Sequence, residues 1–254
     1  MMKNRFAWLA QCFALSCILL APQAKADQVQ VAVAANFAGP MEKIAAAFKE
    51  KTGHDLLVST GSTGKFYAQI RNGAPFEVFF SADDETPAKM EQEGQAVPGT
   101  RLTYAIGRLA LWSAKPDFID GKGDILKQGN FSRLAIANPK LAPYGQAAQE
   151  TMQALGVYEQ LQSKFVTGEN IAQTWQFVGT GNAELGFVAL SQVYEGGKIL
   201  KGSAWIVPDA LHKPIRQDAA LLHPGKDKPA ARALLEFMKS DAARAIITAA
   251  GYSL

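Results

Sequence analysis

The stretch Ser59-Thr60-Gly61-Ser62-Thr63-Gly64-Lys65-Phe66 gathers glycines, hydroxyls and a lysine into one short segment, a composition suited to wrapping an anion. It resembles the end of a nucleotide phosphate loop. That loop needs G-x-x-x-x-G-K-[ST], because the first glycine lets the backbone wrap phosphates and the last hydroxyl reaches a magnesium ion. Here Ser59 stands at the first glycine position and Phe66 at the hydroxyl position, so the loop is excluded. What remains is a Gly-Ser-Thr-Gly turn opening a helix, whose free N–H groups suit an anion without any nucleotide.

Three other turns have the same character: Ala35-Asn36-Phe37, Ala142-Pro143-Tyr144-Gly145 and Glu169-Asn170-Ile171-Ala172. Asn36, Ser62 and Asn170 are also ordinary helix N-cap residues, and each taken alone reads first as a cap. Lys65 lies within the first helical turn, where a lysine usually faces water, so it is expected to be dispensable for any anion. Asp83-Asp84-Glu85 follows a strand and precedes a helix, which suits capping and the helix dipole. A catalytic base at Asp83 or Asp84 is the alternative reading. Tyr144 and Trp175 suit either stacking on a ligand or filling a core.

Other enzyme patterns are thin. His54, His212 and His223 stand apart, and the two cysteines, Cys12 and Cys17, lie near the N-terminus, so no zinc spacing exists. There is no G-x-S-x-G elbow. Gly179-Thr180-Gly181 follows a helix and precedes a strand, the reverse of a dinucleotide fingerprint.

The elements that must position these turns alternate. Val29 to Ala35 reads as a buried strand, followed by a helix with Met41, Ile44, Ala45 and Phe48 at helical spacing and Gly53 as its stop. Residues 55–60, 64–73, 76–82 and 85–94 then read as strand, helix, strand and helix. Residues 101–114 form a long β-rich crossing. A second series follows at 133–138, 145–156, 163–168, 171–181 and 184–190, then a strand at 212–222 broken early by Pro214, and a C-terminal stretch of one bent or two short helices. The pattern predicts mostly parallel sheets covered by helices, arranged as two lobes joined by strand crossings.

Lys3 and Arg5 precede an apolar run from Phe6 to Ala21, and Ala24-Lys25-Ala26 has the small-x-small form of a signal-peptidase site. A signal peptide over 1–26 is expected, cleaved near Ala26. Lipidation at Cys17 is the alternative. The chain holds 26 Lys and Arg against 23 Asp and Glu, but Lys3, Arg5 and Lys25 leave with the signal, so the exported part is balanced. Nothing in that charge favours a nucleic acid partner. With both cysteines gone, a packed core must supply the stability.

From Val29 to Leu254 the chain resembles the periplasmic molybdate-binding proteins (ModA) of ABC importers. The resemblance rests on VAVAANF, STGSTGKFYAQIRNGAPFEVFFSADD, TYAIGRLALWSAKP, IANPKLAPYGQAA, LGFVALSQV and the terminal AIITAAGY. It implies a type II periplasmic binding protein fold, α/β throughout, with two lobes, a hinge and a ligand cleft between them. On that reading residues 27–107 and 216–254 form one lobe and 108–215 the other. It also implies a non-enzymatic solute-binding protein, a monomer in the periplasm without cofactor, that captures molybdate and tungstate for a membrane permease. Molybdenum would enter only as the oxyanion, with no protein ligand on the metal. Asn36 matches a position offering a side-chain donor and a backbone N–H, Thr63 a hydroxyl position, and Tyr144 and Ile171 positions that donate backbone N–H groups; Ser62 is the adjacent candidate. Ala35 and Ala189 depart from relatives that carry a threonine and a tyrosine there. Sulfate or another tetrahedral oxyanion is the alternative ligand, and an exported hydrolase or transferase the alternative class.

Overall fold

A computed structural model describes residues 26–254. The preceding segment, with the signal-peptide and lipidation readings at Lys3, Arg5 and Cys17, lies outside the described residues.

Strand β1 (Gln28–Ala34) shows why the core forms where it does. Successive side chains of a strand point to opposite faces. Val29, Val31 and Val33 therefore share one face and pack with Met41, Ile44 and Phe48, while Ala32 faces Phe66, Ile70 and Met90 on the other. The chain continues through α1 (Ala38–Thr52), β2 (Asp55–Gly61), α2 (Thr63–Arg71), β3 (Val78–Phe80), α3 (Glu85–Gln92) and β4 (Leu102–Gly107). At Arg108 it enters a second sheet. There it forms β5 (Leu109–Ser113), α4 (Ile125–Gln128), β6 (Leu134–Ala137), α5 (Pro143–Ala154), α6 (Tyr158–Leu161), β7 (Phe165–Gly168), α7 (Ile171–Gly179) and β8 (Leu185–Ala189). A small hairpin of β9 (Tyr194–Glu195) and β10 (Lys198–Ile199) precedes β11 (Ser203–Ile206). Residues 207–214 return the chain to the first sheet as β12 (Ile215–Leu221), and α8 (Pro229–Phe237) and α9 (Asp241–Ala249) cover it. The C-terminal stretch is thus two helices, the second capped by Ser240.

The strand orders are β2-β1-β3-β12-β4 and β11-β5-β8-β6-β7. Two α/β lobes result, each with its own sheet. The sheets are mixed rather than mostly parallel: β12 runs antiparallel to β3 and β4, and β5 antiparallel to β8 and β11. The reason lies in the crossings. The outgoing chain at β4–β5 and the returning chain at β11–β12 run side by side, with Ile215 opposite Gly107 and Ile206 opposite Ala110, so they must be antiparallel.

Gly107 sits at the outgoing crossing, where no side chain fits. A Cβ there would lie 2.2 Å from Tyr144 Oη and 2.4 Å from Gln217 Nε2. The long β segment expected over 101–114 is accordingly two strands, one in each sheet.

Candidate functional site

Helices α2, α5 and α7, and the 3-10 turn Ala35–Phe37 that leads into α1, each follow a parallel strand, namely β2, β6, β7 and β1. The first N–H groups of a helix have no acceptor within it, so this end of an α/β sheet presents donors. All four ends line one cavity between the lobes, with room for little more than a water-sized group. Its size suits a small ion. Asn36, Ser62, Thr63, Tyr144 and Ile171, distant in sequence, all line it.

Each contributes differently. Ser62 is the N-cap of α2, with extended backbone at φ −83° and ψ 149°, yet its side chain caps nothing. Its Oγ is buried and has no hydrogen-bond partner among the described residues. Leaving such a group unpaired costs about 1–3 kcal/mol, a cost that an acceptor in the cavity would remove. Thr63 Oγ1 accepts the Ala82 N–H at 3.0 Å. Ser81 Oγ lies 3.4 Å from it, beyond the usual O–H···O range, so the Thr63 proton can turn to the cavity.

The Asn36 side chain, expected as a donor, is engaged within the protein. Its Nδ2 donates to Gln217 Oε1 at 2.7 Å and to Tyr252 Oη at 3.0 Å, which uses both hydrogens of the amide. The position retains a backbone N–H at the start of its turn. Tyr144 likewise directs its side chain away from the cavity, where its Oη accepts Gln217 Nε2–H at 3.1 Å. Because Pro143 opens α5 and has no N–H, Tyr144 carries the first amide of that helix. Asn170 is a true cap, its Oδ1 accepting the Gln173 N–H at 3.0 Å, and this leaves the Ile171 amide free. The backbone N–H groups of Thr63, Tyr144 and Ile171 have no acceptor among the described residues.

Among the described residues, no Lys, Arg, His, Asp or Glu lines the cavity. Lys65 Nζ instead meets Glu169 Oε2 at 2.6 Å, with both side chains largely in water. Asp83, just before α3, holds its first turn, accepting the Thr86 N–H at 2.8 Å and Thr86 Oγ1–H at 3.1 Å. Burial raises its carboxyl above the ordinary value, and the Thr86 and Ser81 hydrogen bonds oppose that shift. Asp84 lies 3.7 Å from Arg216. Neither carboxylate is therefore seated as a base for a ligand in the cavity. Trp175 stacks on Trp112 at 6.3 Å on the outside of its lobe and does not reach the cavity. Ala35 lines the cavity and Ala189 is buried in β8, so neither adds a hydroxyl.

Behind the cavity lies a buried polar cluster that residue types and spacing did not reveal. Tyr104 Oη reaches Gln217 Oε1 at 2.9 Å, Tyr252 Oη reaches the Asn36 carbonyl at 2.8 Å, and Ser191 Oγ donates to the same carbonyl at 2.8 Å. Burial raises all three tyrosine hydroxyls, Tyr252 to about 12 and Tyr104 and Tyr144 well above the ordinary value. They stay protonated and neutral, as donors beside an anion site should.

The sequence matches the family model described as bacterial extracellular solute-binding protein over residues 29–253. It is 57% identical over 241 residues to the molybdate-binding protein ModA of Azotobacter vinelandii, covering 95% of this chain and 96% of the relative. It is 53% identical over 235 residues to ModA of Rhodobacter capsulatus, covering 92% and 91%. Among solved structures it superposes on the Azotobacter vinelandii periplasmic molybdate-binding protein with a TM-score of 0.86 at 43% identity, over 89% of this chain and 99% of that one.

Proposed function

This chain belongs to the bacterial extracellular solute-binding proteins and, within them, to the ModA molybdate-binding proteins, and from that premise we propose that it captures molybdate in the periplasm and delivers it to the membrane permease of an ABC importer. One observation carries the chemistry. Four helix-starting turns from two lobes line a small cavity that has no charged side chain among the described residues, and one of the lining residues, Ser62, has a buried hydroxyl with no partner among them.

Molybdate is a dianion whose four oxygens accept hydrogen bonds and donate none. Uncapped helix amides carry fixed partial positive charge and need no reorganisation to meet it. We assign the Asn36, Thr63, Tyr144 and Ile171 backbone N–H groups and the Ser62 and Thr63 hydroxyls as the donors. With no lysine or arginine lining the cavity among the described residues, the ion is held by neutral groups, which favours its release once the lobes part. Tungstate has the same charge and acceptors and is bound in the same way. Phosphate retains a proton at neutral pH and needs an acceptor, whereas no carboxylate among the described residues lines the site.

The lobes that close on the ion are 27–107 with 216–254, and 108–215. The protein acts as a monomer, starting close to Ala26 after signal removal. Isothermal titration of the exported protein with molybdate, tungstate, sulfate and phosphate tests the proposal. Binding of the first two with weak or absent binding of the others is expected.

A further inference from the structure

Of the turn Gly61-Ser62-Thr63-Gly64-Lys65, only Ser62 and Thr63 are assigned above as anion donors. Gly64 and Lys65 face the opposite lobe. Gly64 N–H, a first-turn amide of α2, donates across the cleft to the Leu141 carbonyl at 2.9 Å. A Cβ on Gly64 would lie 3.1 Å from Leu141 Cα and 3.2 Å from Leu141 O, backbone atoms that cannot rotate aside. Next to it, Lys65 Nζ meets Glu169 Oε2 of the same opposite lobe at 2.6 Å. None of Gly64, Lys65, Leu141 or Glu169 lines the cavity.

We propose that Gly64 and Leu141, reinforced by Lys65 and Glu169, form a closure latch that sets how long a bound anion stays enclosed without taking part in recognising it. The inference rests on the oxyanion-binding reading of the cavity. Its logic is that of two states. When the lobes are apart, position 64 is in the first turn of a helix with open space before it, and a side chain is tolerated. When they close, the backbone of Leu141 approaches so nearly that a hydrogen fits better than a methyl group. A side chain at 64 therefore penalises one state only, and affinity falls by the factor by which the closed population falls. Because the latch does not touch the ion, that factor is the same for every anion enclosed.

The test uses Gly64→Ala and Gly64→Leu in the exported protein, with molybdate and tungstate as probes. Calorimetry gives Kd, and stopped-flow tryptophan fluorescence gives the dissociation rate. Kd should rise about fivefold for Gly64→Ala and more than about fiftyfold for Gly64→Leu, through faster dissociation and by equal factors for both anions. The anion-free melting temperature of Gly64→Ala should hold or rise, since alanine outranks glycine in a helix. Lys65→Glu should weaken binding, the exchange Lys65→Glu with Glu169→Lys should restore it, and high salt should erase both effects. Affinity of Gly64→Leu within about twofold of wild type, unequal factors for the two anions, or a melting temperature that falls in step with affinity would overturn the latch. Wild-type protein that binds no oxyanion would instead sink the site reading. Small-angle scattering then decides the latch alone, with a more extended Gly64→Leu expected and an unchanged profile contradicting it.

Discussion

Ser62 and Thr63 are neighbours, both buried and both on the cavity wall, yet only one hydroxyl is fixed by the protein. Thr63 Oγ1 holds the Ala82 N–H at 3.0 Å, while Ser62 Oγ has no partner among the described residues. The two positions therefore separate affinity from stability. Ser62→Ala removes a donor to a charged acceptor and should cost about 1.5–3 kcal/mol of binding, tenfold to about a hundredfold in Kd. The anion-free protein should melt no lower, because an unpaired buried hydroxyl has been removed. Thr63→Ala should weaken binding as well, and should also lower stability by about 1–3 kcal/mol because the buried Ala82 N–H loses its acceptor. Calorimetry and thermal melts on the two variants check the contrast.

Asn36 is expected to act through the structure behind the cavity. Its amide joins Gln217 of the returning strand to Tyr252 near the C-terminus. Asn36→Ala removes one donor from each and should lower the anion-free stability by about 1–3 kcal/mol. Asn36→Asp keeps the shape but sets a carboxylate among buried acceptors and beside a dianion, and should abolish molybdate binding. Binding by Asn36→Asp at wild-type strength would show that this position does not adjoin the ion.

Asp83 gives a pH signature. Burial raises its folded carboxyl above the ordinary value of 3.8, so ionising it costs more in the folded than in the unfolded protein. The stability it contributes is fully present below pH 3.8 and is lost as pH rises through the folded value. Asp83→Asn should therefore gain melting temperature relative to wild type at neutral pH, and the gain should shrink in acid below the unfolded value. Molybdate affinity at neutral pH should be unchanged. A large loss of binding would give Asp83 a role at the site that its hydrogen bonds to Thr86 do not suggest.

Much of this architecture was legible because its signals are local. Val29, Val31 and Val33, the helical spacing of Met41, Ile44 and Phe48, and the four turn sequences are each read within a few residues. That the four turns share one cavity follows from the α/β rule once the strands are placed. Strand direction is not a local property, and β12 was expected only as a strand. Its antiparallel place between β3 and β4 comes from the side-by-side crossings. The hairpin β9–β10 and helices α4 and α6 are only two to four residues long and carry no period to detect. The engagement of Asn36 depends on Gln217 and Tyr252, separated from it by 181 and 216 positions. No spacing announces such a partner. For the same reason Ser62, which looked like a cap, stands out only when the structure shows that it caps nothing.

The central claim is that uncharged donors from two lobes hold a fully deprotonated tetrahedral oxyanion. Titration of the wild-type protein with molybdate, tungstate, sulfate and phosphate at neutral pH, repeated with Ser62→Ala, tests it most directly. The predicted result is saturable one-to-one binding of molybdate and tungstate, weaker sulfate, no measurable phosphate, and a loss of about tenfold to a hundredfold for molybdate in Ser62→Ala. Sulfate bound as tightly as molybdate, or Ser62→Ala binding molybdate as wild type does, would contradict it.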